Sequence, residues 1–91
     1  MLNKVKKILE NKGYECKKCE NAWEIRAHKS ESFKNYMVEI NEHFNLKGVK
    51  NEVVRYYDFR YRKMTIHSYD EMHREGLSEQ RLLELIQEVE E

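Results

Sequence analysis

Between residues 49 and 69 the chain carries Val53, Val54, Tyr56, Tyr57, Phe59, Tyr61, Thr65 and Ile66. This density of β-branched and aromatic side chains suits a pleated strand far better than a helix. The alternation changes phase within the segment, Phe59 and Tyr61 sharing one parity and Met64 and Ile66 the other. A one-residue bulge near Arg62-Lys63 would return both pairs to one face, so the segment is expected to form a β-hairpin. A helix across 52–63 is the alternative.

The rest of the chain must supply what covers such a sheet. With 91 residues it has the length of one domain, 1–91, and area scaling leaves about 65% of the unfolded chain's surface to bury. Residues 2–12 place Leu2, Val5, Ile8 and Leu9 on one helical face and stop at Gly13. Residues 14–28 then alternate, with Tyr14, Cys16, Trp23, Ile25 and Ala27 in step and Glu20-Asn21 as the break, which predicts a first hairpin. Phe33, Met37, Ile40 and Phe44 recur at helical spacing behind Ser30 and Ser32, which predicts a helix of about four turns ending near Gly48. Ser68 and Glu71 resemble a capping box for a short helical turn. Ser78 reads as the N-cap of a last helix whose stripe is Leu82, Leu85, Ile86 and Val89, stapled by Leu77. The expected fold is therefore α+β: a single two-layer domain in the order αββαββα, with an antiparallel sheet of about four strands and helices on one face.

Seventeen basic and seventeen acidic residues cancel, which argues against a globally basic nucleic-acid binder and an acidic DNA mimic alike. By block, however, residues 1–29 sum to +4, 30–46 to −2, 47–69 to +4 and 70–91 to −6. Basic hairpins and acidic later helices imply a cationic open sheet face formed by Lys17, Arg26, His28, Arg60 and Arg62, with Arg55 a further candidate. The run Arg55, Tyr56, Tyr57, Asp58, Phe59, Arg60, Tyr61, Arg62, Lys63 is the first place to look for a binding surface. Phosphates attract Lys and Arg, and exposed Tyr stacks on unpaired bases. Arg and Tyr are equally the residues of protein interfaces, and the plainest reading makes the aromatics core and the arginines a solvated face. The acidic end, Glu79, Glu84, Glu88, Glu90 and Glu91, is either an ordinary exposed helix face or an anionic ridge presented to a DNA-handling protein.

Catalytic and metal signals are thin. Cys16-Lys17-Lys18-Cys19 has the spacing of half a zinc site. The histidines, His28 with His43 or His67 with His73, follow at no finger-like interval, and alternation would send the two sulfurs to opposite faces. A redox role needs a helix after the first cysteine, where a strand is expected. Glu15-Cys16-Lys17 matches a nuclease tripeptide but lacks a preceding acidic strand residue, the first Asp being Asp58. With no proline and three glycines there are few tight turns on which to build a phosphate loop or an oxyanion hole. No catalytic residue, metal or cofactor is assigned.

Richness in lysine, asparagine and glutamate, with two alanines, resembles small phage or mobile-element proteins of AT-rich bacteria, anti-CRISPR proteins among them. That likeness is one of composition and assigns no residue a role. The expectation is a small non-enzymatic binding module of the cytoplasm, acting on nucleic acid or a nucleic-acid-handling protein. The competing expectation is an inhibitor that docks on a host protein through its acidic helix or its Arg/Tyr surface. No membrane partner is expected, the chain having no long apolar run and no signal-peptide core. The Leu82, Leu85, Ile86, Val89 stripe is the surface through which a domain of this size could form a homodimer.

Overall fold

A computed structural model describes residues 2–18 and 23–89. Seven elements follow one another: α1 (Leu2–Asn11), β1 (Glu15–Lys18), β2 (Glu24–Glu31), β3 (Lys34–Lys47), β4 (Glu52–Met64), β5 (Tyr69–Leu77) and α2 (Glu79–Glu88). The five strands form one antiparallel meander in the order β1-β2-β3-β4-β5. The fold is a mostly-sheet α+β in the order αβββββα, which corrects the expected αββαββα: there is one strand more and one helix fewer than the sequence suggested.

The predicted central helix is the point of failure. Phe33, Met37, Ile40 and Phe44 do recur at helical spacing, yet the buried side chains of this segment are Tyr36, Val38 and Ile40, which alternate. Phe33 is 86% exposed, and Phe44 lies half exposed beyond the covered part of the sheet. Ser32, taken as a cap, forms with Phe33 the two-residue turn between β2 and β3, both with positive φ (49° and 65°). That backbone matches the twist of a hairpin and cannot start a helix. β3 then gains a hydrogen-bonding neighbour on each side, and this outweighs its local spacing.

The second hairpin is also divided differently. Residues 52–64 are one continuous strand paired with β3 before it and β5 after it, with no bulge at Arg62-Lys63; Met64 and Ile66 are simply exposed. The irregularity lies instead between Tyr57 and Phe59, where β5 carries an extra residue at Gly76, whose φ is +66°. Ser68 closes the β4–β5 turn by hydrogen bonding to Thr65 and caps no helix.

Both end helices form as the sequence predicts. α1 buries Leu2, Val5 and Leu9 and ends at Gly13 with φ +96°, where the Lys29 ammonium donates to the Lys12 carbonyl at 3.2 Å. The same ammonium lies 4.9 and 4.7 Å from the ring centres of Tyr14 and Tyr36, fastening the helix end to the sheet. The Ser78 hydroxyl accepts from the Arg81 N–H at 3.2 Å, the expected cap of α2. Leu82, Leu85, Ile86 and Val89 are all buried in the chain's own core, so the stripe is not available to a second subunit. α1 packs on β1 and β2 and α2 on β4, on the face that carries Ile25, Ala27, Val38, Ile40, Tyr57, Phe59 and Tyr61. No helix among the described residues is long and apolar enough to cross a membrane.

Candidate interaction surface

Strand register decides what the open face offers. Lys17, Arg26, Glu39, Arg60 and His73 form one row across all five strands, and Glu15, His28, Met37, Arg62 and Glu71 the next. Glu39 therefore sits between Arg26 and Arg60. Arg26 also pairs with Glu24 at 2.6 Å, and His28 with Glu15 at 3.3 Å. The Nε atoms of Arg60 and Arg62 lie 3.5 and 3.8 Å from one Glu71 carboxylate oxygen. A hydrogen bond from Tyr69, and then the charges of Arg62 and Arg60, hold the Glu71 carboxyl below its ordinary range. The expected cationic face is thus a lattice of alternating charge, because β3, a strand and not a helix, puts Glu39 in the middle of the sheet and β5 brings Glu71 beside Arg60 and Arg62.

The predicted binding residues divide among three places. Lys17, Arg26, Tyr56, Arg60 and Arg62 share the open face. Tyr57 is in the core at 1% exposure, and its hydroxyl makes no hydrogen bond of good geometry among the described residues. Burial first, and the Glu42 carboxylate opposite it second, push its phenol well above the ordinary value. Arg55 and Lys63 fall on the helix side, Lys63 with its ammonium 5.9 Å from the Tyr36 ring. Tyr56 is half-buried and stacks on His43 at 5.0 Å.

His43 Nε2 lies 2.7 Å from Asp58 Oδ2, a pairing that orients an imidazole as in many acid–base sites. Its neighbours across and along the sheet, Asn41, Asn45, Val54 and Tyr56, include no serine, cysteine or threonine to activate. Among the described residues no three His, Cys, Asp or Glu side chains are grouped to hold a metal ion. Cys16 is half-buried, and burial first and Glu10 second raise its thiol pKa, the reverse of a reactive thiolate. Cys19, the Glu20-Asn21 turn, Glu90 and Glu91 lie outside the described residues.

The strongest surface feature is one that the helical reading of residues 33–44 concealed. β2 accompanies β3 only as far as Asn41, and β5 accompanies β4 only as far as Tyr57. Beyond them the two central strands continue alone through the pairs Phe44 with Arg55, Asn45 with Val54, Leu46 with Val53 and Lys47 with Glu52. The arm closes at 48–51, where Gly48 and Asn51 have positive φ. Phe44, Leu46, Val49, Val53 and Val54 are all exposed on it, and Trp23 stands at its base, 5.2 Å from Phe44. Phe44, Leu46 and Val53 continue the parity of Ile40 and Phe59, so the arm's apolar face points to the helix side, where among the described residues only Glu79, at the start of α2, reaches its root. Alternation around Gly48 was the available signal.

The chain matches no protein-family model, no curated protein and no solved structure.

Proposed function

We propose that this chain is a non-enzymatic interaction module that binds protein through the helix-side face of the β3–β4 arm. The observation that carries this reading is the exposure of Leu46 (63%) and Val53 (57%) beside Phe44 on a ribbon flanked, among the described residues, by no other strand. Isolated two-stranded ribbons are marginal in water, and contiguous exposed apolar side chains mark interaction sites. Carboxylates beside Arg26, Arg60 and Arg62 support a protein partner over nucleic acid, since phosphate binding draws on cations whose counterions can be released.

A photo-crosslinking residue at position 46 tests the reading. Crosslinks to protein from position 46, in nuclease-treated extract or in the purified chain, together with none from positions 26 and 62, are the expected result. Crosslinks to nucleic acid from positions 26 and 62, with position 46 silent, would favour the nucleic-acid reading. Fluorescence anisotropy with short DNA and RNA at low salt gives the same decision independently. There Glu71→Gln, which releases Arg60 and Arg62, should bind more tightly than the wild type.

A further inference from the structure

We infer that the occupant of the arm's apolar face is a second copy of this chain, the two arms packing face to face and antiparallel about a two-fold axis. This rests on the arm's being the interaction surface and names what fills it. The first support is area. The chain exposes 6399 Å² where a compact protein of its mass exposes about 5,700 Å². Its radius of gyration is 14.4 Å where about 12 Å is usual. The excess of about 700 Å² is close to the about 800 Å² that each partner gives to a stable interface.

The second support is the distribution of charge and shape along the arm. A two-fold interface must be complementary to itself. The turn at the tip carries Lys50, a positive charge, while Lys47 and Glu52 face the open side of the sheet; the root carries Glu42 and Glu79 with Arg55, a net negative charge. Antiparallel packing lays the tip of one arm over the root of the other, so opposite signs meet, whereas parallel packing would set lysine over lysine. The root also holds an open depression of about 550 Å³ lined by Val53, Val54, Arg55, Tyr57 and Glu79. Val49, fully exposed at the tip, is the side chain that the two-fold brings to it.

Sedimentation equilibrium of the full chain, repeated on variants with circular dichroism as the check on folding, tests this inference. The wild type should be a dimer at concentrations of about 0.1 mM, and Leu46→Glu should be a monomer with an unchanged spectrum. Lys50→Glu should weaken the dimer by about tenfold, and Glu79→Lys in the same chain should restore it. A wild type that stays monomeric up to about 1 mM, or a dimer indifferent to Leu46→Glu, overturns the inference. The two claims separate cleanly. A monomer whose position 46 still crosslinks to another protein removes the self-association and leaves the arm as the binding surface, whereas a position 46 that crosslinks to nothing removes both.

Discussion

Two pairs of side chains in the same two strands have opposite fates. Ile40 faces Phe59 and both are 0% exposed; Leu46 faces Val53 three rungs further along the same face, and both are mostly in water. Composition, strand type and cross-strand geometry are alike in the two pairs. What differs is what surrounds them: the base has β2 and β5 at its flanks and two helices over it, and among the described residues the arm has no flanking strand and only Glu79 of α2 at its root. Apolar alternation says that a face is meant for burial, and only the third layer says whether the chain buries it by itself.

The sharpest test of this contrast is amide hydrogen exchange in solution dilute enough to hold the chain as a monomer. Residues 38–40 and 59–61 should exchange only on global unfolding, and residues 44–47 and 52–55 orders of magnitude faster. Equal protection at both ends would break the comparison. Truncation should divide the same way. Phe59→Ala leaves a hole in a close-packed layer and should cost about 3–5 kcal/mol in urea unfolding, whereas Leu46→Ala should stay within about 0.5 kcal/mol for the monomer.

A smaller effect tests the helix cover. Ser78→Ala removes the hydroxyl that caps α2 and should cost about 1 kcal/mol. It should raise exchange at the base, where α2 packs, and leave the arm as it was.

Tyr57, at the boundary of the two regions, gives the mildest test. Its phenol keeps its proton in the folded chain at a pH where the unfolded chain has lost it, so stability should fall as pH rises above about 10. Tyr57→Phe should abolish that part of the alkaline loss while costing little at neutral pH, because the hydroxyl it removes has no good hydrogen bond. Urea midpoints measured across that pH range check both statements.

Much of this molecule follows from local pattern. The stripe Leu2, Val5, Leu9 ended by Gly13, the cap at Ser78 with Leu82, Leu85 and Ile86 behind it, and the aromatic alternation of Tyr57, Phe59 and Tyr61 all declare their elements within a few residues. Periodicity, capping and turn chemistry act over that range, so sequence alone sufficed there. The candidate site was much less legible. Arg26, Arg60 and Arg62 were visible as basic residues of one sheet face, but their neutralisation by Glu39 and Glu71 is a matter of register between strands.

The residues 33–44 mark where local pattern ends. Phe33, Met37, Ile40 and Phe44 satisfy a helical period as well as Tyr36, Val38 and Ile40 satisfy a strand's, and nothing within the segment chooses between them. Sequence by itself determined two amphipathic end helices and the strand character of the segments before and after residues 33–44. Tertiary structure decided that the middle is five strands, that the arginines lie among carboxylates, and that Phe44, Leu46 and Val53 stay in water. Those outcomes depend on which strands stand side by side and how far each helix reaches, and both are set by contacts between residues distant in the chain.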